Sequence, residues 1–151
     1  GALVMTPPPG LLHQNVSGEL YALLREAIQG LGLKVFTAPV AWRIGPGQVP
    51  EPDLVVAAVE SLASRAVEVA PLLVVEVMSP SGRGRDLFEK RRIYAAGRAS
   101  WYWLVDPAVP SLTVLRLEGE TYHDEAHVVG DEAYEQREPL VVRVVPADLI
   151  R

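Results

Sequence analysis

The chain has 151 residues, 49% of them hydrophobic, with a formal charge of −5 and no cysteine. Its length predicts one domain, residues 1–151, with enough sequence for a hydrophobic core, and the lack of cysteine excludes disulfides, thiolate catalysis and cysteine-based zinc sites. The acidic balance argues against a protein that coats nucleic acid non-specifically, because such binding requires many neutralised phosphates. No apolar run reaches the roughly 20 residues that span a bilayer, so we expect a soluble cytoplasmic protein without membrane contact.

The first half of the chain is predicted to contain one helix among extended segments. Apolar side chains recur at helical spacing from residue 15 to residue 29, and Gly30 and Gly32 mark the end of this helix. Short runs of apolar residues between prolines and glycines predict strands over residues 2–5, 34–37, 40–44 and 54–59. Residues 60–71 fit a loop or a single helical turn.

The second half is predicted to hold a buried strand, a helix and further strands. Residues 72–78 are apolar except for Glu76, which is typical of a central strand covered on both faces. After a loop over residues 79–84, a helix is expected from about Arg85 to Ala96, with Gly97 as its C-terminal stop. Strands are then predicted over residues 101–105, 112–117, 121–129 and 140–145. The element order favours an α/β fold, a sheet flanked by helices.

Lys90 lies on the apolar stripe that Leu87 and Tyr94 share on the second predicted helix. A cation that faces a packed surface needs an anionic partner. Two lone carboxylates in otherwise apolar strands are available upstream, Asp53 and Glu76. If these two strands run in opposite directions, the start of one and the end of the other place both carboxylates at the same edge of the sheet.

Two carboxylates and a lysine suggest metal-dependent hydrolysis of a phosphodiester. Mg²⁺ prefers oxygen ligands and often takes only one or two carboxylates, with water and substrate phosphate completing its shell. Asp53 and Glu76 are therefore the predicted metal ligands, and the Val77 carbonyl is a candidate for a further oxygen. Lys90 is predicted to orient the attacking water or to stabilise developing charge.

Neighbours of Lys90 on the same helix are expected to support this site. Asp86 and Tyr94 lie four residues either side of Lys90 and share its face; Asp86 is expected to hold the lysine, and Tyr94 to donate a hydrogen bond or to pack. Residues 82–98 carry six basic and two acidic side chains, a local charge of +4. The predicted phosphate-positioning groups are Arg83, Arg85, Arg91 and Arg92.

Each of these residues also has a purely structural interpretation. Asp53 follows a proline and suits a turn, an arginine from a neighbouring element could satisfy a buried Glu76, and Lys90 could extend its stem over apolar neighbours into solvent. His13, His123 and His127 are candidates for a metal or acid–base set, but the last two share one face of a predicted strand and are expected to be exposed. The aromatic residues 101–103 are expected mainly to pack.

The motifs, taken in chain order, resemble a known family. They are Pro52-Asp53, Val75-Glu76-Val77-Met78-Ser79-Pro80-Ser81, Asp86, Lys90, Tyr94, and Tyr102-Trp103-Leu104-Val105-Asp106-Pro107. This set is similar to the restriction-endonuclease-like family long catalogued as a domain of unknown function, within the PD-(D/E)XK nuclease superfamily. The resemblance runs from about Leu3 to Leu149. It implies a restriction-endonuclease-like αβββαβ core with additional C-terminal strands, and cleavage of DNA that depends on Mg²⁺, with Mn²⁺ as an alternative.

Two positions depart from the pattern of the superfamily. The superfamily carries a lysine two residues after the second acidic ligand, where this chain has Met78, so the resemblance moves that role to Lys90 on the helix. The family also has a leading segment with a glutamate, and this chain is expected to start after it. Glu19 is then the candidate that would supply the missing ligand.

Two other functions remain open at this stage. A catalytically inactive domain with the nuclease fold would bind nucleic acid through the arginines without turnover. A protein-interaction domain would suit the acidic overall charge. A homodimer is also expected, because the aromatic strand and the terminal strands would offer apolar edges.

Overall fold

The computed structural model describes residues 10–79 and 85–151, without the side chains of Arg85 and Asp86. The strand predicted over residues 2–5 and nearly all of the loop predicted over residues 79–84 lie outside the described part. The secondary structure within it is α1 Leu11–Ala27, β1 Lys34–Thr37, β2 Leu54–Ala57, β3 Leu73–Val77, α2 Arg85–Ala96, β4 Trp101–Asp106, β5 Ser111–Glu118, β6 Thr121–Val129, β7 Tyr134–Gln136, β8 Val142–Val144 and a short 3-10 helix Pro146–Ile150.

Six strands form one mixed sheet in the order β1-β2-β3-β4-β5-β6, and β7 pairs with β8 separately. β3 and β4 are parallel, because α2 carries the chain back between them. The other neighbours in the large sheet are antiparallel. The first six elements therefore run αβββαβ, and the predicted α/β fold, a mixed sheet flanked by helices with additional C-terminal strands, is confirmed.

Each face of the large sheet has its own hydrophobic core. Leu20 of α1 packs in one core with Val75 of β3, whereas Tyr94 of α2 packs in the other core with Val74. Successive side chains of a strand point to opposite faces, so Glu76 lies on the α2 face beside Val74. Both β2 and β3 are buried along their whole length, as expected for strands covered by helices on both sides.

Residues 40–44 do not form the predicted strand. Trp42 makes a single bridge to Val67, and Gly45 makes another to Gln48. The Trp42 side chain is almost fully buried, and its ring centroid lies 5.4 Å from that of Tyr94. The strand prediction for this segment is therefore wrong, because strand propensity alone does not specify a hydrogen-bonding partner.

The C-terminal region contains one strand more than the sequence predicted. β8 lies within the predicted residues 140–145, but its partner β7 is short and consists of Tyr-Glu-Gln. Its polar composition gives little strand signal. The buried Tyr134 and Gln136 flank an exposed Glu135, an alternation that becomes visible only once β8 is paired with it.

The aromatic strand β4 lies inside the sheet, not at its edge. It pairs with β3 on one side and with β5 on the other, and Trp103 is fully buried. The expected apolar edge on the aromatic strand is therefore absent from the described sheet, and a homodimer through the terminal strands stays a prediction. Neither helix in the described ranges is long and apolar enough to cross a membrane.

Gly97 follows the end of α2, as predicted, but its backbone does not adopt the left-handed conformation that glycine often has at a helix C-terminus. The residue with a positive φ is Arg98, at 65°. A Cβ atom at Gly97 would lie 2.4 Å from Trp42 Cζ2 and 2.8 Å from Trp42 Cη2. Gly97 is therefore required by the close approach of the Trp42 ring to the backbone.

Gly97→Ala is expected to lower the free energy of unfolding by about 2 kcal/mol, because the added methyl must displace the buried ring. Gly18→Ala is the matched control: a Cβ there meets no atom within 4 Å, and the exchange inside α1 should stabilise by about 1 kcal/mol. Denaturant unfolding of both variants measures the difference. Equal stability of Gly97→Ala and the unsubstituted protein would contradict this account.

Candidate active site

Glu76 is a buried carboxylate with a partner on each oxygen. It is the penultimate residue of β3, and 8% of its side chain is exposed. Lys90 Nζ lies 3.2 Å from Oε2, and the Tyr94 hydroxyl donates to Oε1. Lys90 and Tyr94 are four residues apart on α2, so one helical face supplies both partners. The predicted anionic partner of Lys90 is thus present.

Asp53 lies at the same end of the sheet as Glu76. It directly precedes β2, and β2 is antiparallel to β3, with Leu54 opposite Val75. The Val77 backbone N–H donates to Asp53 Oδ2 at 2.7 Å. The antiparallel register therefore brings together a carboxylate at the start of one strand and a carboxylate at the end of the next, as the sequence predicted.

The surroundings of Glu76 disfavour its negative charge. Burial raises the pKa of Glu76 from 4.5 to about 7, and the charge of Asp53 acts in the same direction, while Lys90 and the Tyr94 hydrogen bond oppose the rise. Burial, followed by the charge of Glu76, raises the pKa of Tyr94 far above its usual range. The tyrosine therefore stays protonated and remains a hydrogen-bond donor.

This donor set suits a hard divalent cation. Asp53 and Glu76 supply carboxylate oxygens at one edge of the sheet. The pKa of Glu76 is raised because the positive charge of Lys90 does not fully offset the effect of burying the Glu76 carboxylate. Across residues 10–79 and 87–151, no cluster of three or more His, Asp or Glu side chains forms a complete cage for an ion. Mg²⁺ commonly binds proteins through one or two carboxylates with water in the remaining positions.

Other predicted site residues lie elsewhere or outside the described part. Ser79 is partly buried two residues beyond the end of β3. Glu19 is exposed on α1. It lies six positions after His13, which places it roughly 120° around the helix from that residue. The side chains of Asp86, Arg83 and Arg85 lie outside the described residues.

The two described arginines of the predicted phosphate-positioning set make contacts away from the carboxylates. Arg91 donates to the Tyr122 carbonyl at 3.0 Å and lies 3.5 Å from Asp124, both on β6. Arg92 pairs with Glu89 on its own helix at 2.7 Å. Their role in binding phosphate stays a prediction.

His13 is a candidate histidine whose position beside Asp53 the sequence did not predict. Its Nε2 atom lies 3.3 Å from Asp53 Oδ1, whereas His123 and His127 are exposed on β6, as predicted for those two. His13 precedes Val16 by three residues and Leu20 by seven, so it shares the stripe of α1 that packs on the sheet. That spacing was a usable signal.

The comparisons with known proteins agree with this fold. A family model described as "Putative restriction endonuclease", the Uma2 family, matches residues 1–146. The crystal structure of "a putative nuclease belonging to DUF820" from Anabaena variabilis is similar in fold, with a TM-score of 0.73 and 17% identity over 97% of this chain and 84% of that one. No curated protein matches. The chain belongs to the Uma2 family of restriction-endonuclease-like proteins.

Proposed function

We propose that this protein is a metal-dependent DNA endonuclease that hydrolyses phosphodiester bonds, with Mg²⁺ as its cofactor and Mn²⁺ as an alternative. The observation that carries the proposal is Glu76, a carboxylate buried at the end of a central strand with Lys90 and Tyr94 on its two oxygens. Burial of a carboxylate remains costly even when it is paired, and groups with strongly perturbed pKa values are concentrated at functional sites. Membership of a family of restriction-endonuclease-like proteins supports the same reaction class.

Asp53 and Glu76 are proposed to hold the cation. The Val77 N–H donates to Asp53 Oδ2, which sets the direction of the carboxylate. A carboxylate oxygen that accepts one hydrogen bond keeps a second lone pair, so the carboxylate can still bind the ion. When bound, the ion would lower the pKa of a water molecule and offset charge on the attacked phosphate. Because burial and the charge of Asp53 both raise the pKa of Glu76, added positive charge would also stabilise the ionised form of Glu76.

Lys90 and Tyr94 are proposed to have distinct roles. An ammonium group has three N–H donors, and one of those of Lys90 is directed to Glu76 Oε2. The other two are proposed to hydrogen-bond the attacking water or a phosphate oxygen, where the charge stabilises the transition state. Tyr94 keeps its proton and holds Glu76 Oε1 in place, so that the carboxylate cannot rotate away from the site.

The experiment that tests this function is DNA cleavage by the purified protein. Supercoiled plasmid and linear single- and double-stranded DNA are incubated with Mg²⁺, Mn²⁺, Ca²⁺ or EDTA, and cleavage is expected with Mg²⁺ or Mn²⁺ and not with EDTA. Loss of a residue that only hydrogen-bonds a metal ligand typically lowers activity 10- to 100-fold. Asp53 is itself a proposed ligand, so Asp53→Asn should reduce the rate at least about 10²-fold. Asp131→Asn, at an exposed aspartate that pairs with Arg151, is the matched control.

Each contrary result points to a different function. Salt-dependent DNA binding without cleavage under any of these conditions would favour the inactive nucleic-acid-binding domain. Failure to bind DNA even at low salt would favour a protein-interaction domain. Cleavage that Asp53→Asn leaves unchanged would contradict the proposed site.

A further inference from the structure

His13 connects helix α1 to the carboxylate of Asp53. Its Nε2 atom lies 3.3 Å from Asp53 Oδ1, and the two side chains are 19% and 15% exposed. Asp53 precedes β2, and His13 lies in the first turn of α1. The contact therefore joins two elements that are separated by 40 positions along the chain, and it forms only in the folded protein.

The two oxygens of Asp53 have different partners. The Val77 N–H on β3 donates to Oδ2 at 2.7 Å, and the His13 ring faces Oδ1. A carboxylate held at one oxygen can still rotate about that contact. A second donor at the other oxygen would remove this freedom, and α1 and β3 together would then set the carboxylate plane.

The position of His13 suits a donor to Asp53 better than a metal ligand. In the described ranges 10–79 and 87–151, no three His, Asp or Glu side chains are clustered closely enough to hold an ion, so the imidazole does not complete a cage with Asp53 and Glu76. The 3.3 Å separation is slightly longer than the roughly 2.7–3.2 Å of a typical N–H···O bond. Hydrogen bonds in ligand-free active sites often start long and tighten in the reactive complex.

We propose that His13 is a positioning residue that donates from Nε2–H to Asp53 Oδ1 and thereby orients the Asp53 carboxylate for cation binding. The inference rests on the proposed function, because it assigns a role at the same metal site. Partners of this kind, which hydrogen-bond a metal-ligating carboxylate, typically contribute 10- to 100-fold to metal affinity.

The test is Mn²⁺ binding, which requires no cleavage. The affinity of the whole protein for Mn²⁺ is measured by electron paramagnetic resonance of the free ion and by calorimetry for the unsubstituted protein, His13→Ala and His13→Gln. His13→Ala is expected to bind about 10- to 100-fold more weakly. The Gln amide can place an N–H donor near the position of the imidazole Nε2, so His13→Gln should recover most of the affinity.

Two controls separate positioning from other effects. His127→Ala removes an exposed histidine on β6 that contacts Thr113 and should leave Mn²⁺ affinity unchanged. Electron spin-echo modulation of bound Mn²⁺ reports a directly coordinated imidazole nitrogen. A positioning residue predicts that no such nitrogen signal is lost in His13→Ala, and an unchanged unfolding midpoint verifies that this variant is folded.

The outcomes distinguish this inference from the proposed function. If the unsubstituted protein binds no Mn²⁺, the metal-dependent function fails and His13 loses its role with it. If that protein binds Mn²⁺ and His13→Ala binds equally well, only the role of His13 is overturned. Two results would overturn donation to Asp53 in favour of a role specific to the imidazole ring. One is an imidazole nitrogen signal that disappears in His13→Ala. The other is a His13→Gln variant that binds Mn²⁺ as weakly as His13→Ala.

Discussion

Glu76→Gln is expected to stabilise the metal-free protein above pH 7 while abolishing its metal-dependent cleavage. Burial raises the pKa of Glu76 from 4.5 to about 7 in the folded protein. The folded state therefore binds this proton more tightly than the unfolded state does. Below about pH 4.5 the Glu76 carboxyl does not lower the free energy of unfolding. Between pH 4.5 and 7 it lowers this free energy progressively, and above pH 7 the destabilisation is complete.

The substitution removes this titration, because glutamine stays neutral at every pH and its side chain has nearly the same shape. The gain over the unsubstituted protein should be small at pH 5 and reach up to about 3 kcal/mol at pH 8. Denaturant unfolding in EDTA at pH 5, 6, 7 and 8 measures it. A stability difference that is the same at all four pH values would contradict the raised pKa.

Cleavage should change in the opposite direction to stability. Glutamine supplies a weaker oxygen ligand without charge, so the rate with Mg²⁺ or Mn²⁺ is expected to fall at least about 10²-fold. Glu135→Gln, at an exposed glutamate of β7 that pairs with Arg143, is the control for both measurements. The loss of cleavage, and not the gain in stability, distinguishes a catalytic from a purely structural carboxylate, because the raised pKa of Glu76 predicts the gain in either case.

Lys90→Met is expected to reduce cleavage by about 10²- to 10³-fold, comparable to the loss of one donor that stabilises transition-state charge. Methionine keeps an unbranched stem of similar length, so the packing of the side chain is largely retained. Lys34→Met is a closely matched control, because Lys34 is the only other lysine of the chain and is exposed on β1. The measurement is the single-turnover rate at saturating Mg²⁺.

The same variant has a second effect that can be separated by pH. Lys90 lowers the pKa of Glu76, so its removal should raise that pKa further. Metal must then displace a proton over more of the neutral range, and Mn²⁺ affinity should fall more at pH 6.5 than at pH 8.5. Equal activity of Lys90→Met and Lys34→Met would contradict a role for Lys90 in the reaction.

Local pattern was sufficient for most of the fold and for the central part of the site. The apolar run with one glutamate predicted a strand covered on both faces, and β3 is buried at all of its residues. The stripe of α2 predicted that Lys90 and Tyr94 face the same way. Both contact Glu76, because helical and strand periodicity determine direction without reference to the rest of the chain.

Only the tertiary structure decided the features that depend on contacts between distant segments. The alternating residues around Trp42 could not reveal that this ring covers α2 at Gly97, and the polar β7 could not reveal its partner β8. His13 lies on α1, Asp53 directly precedes β2 and Val77 ends β3, yet all three meet at one carboxylate. Periodicity tells which face of an element is buried, whereas the residue that it meets there depends on how the elements pack, which no local pattern contains.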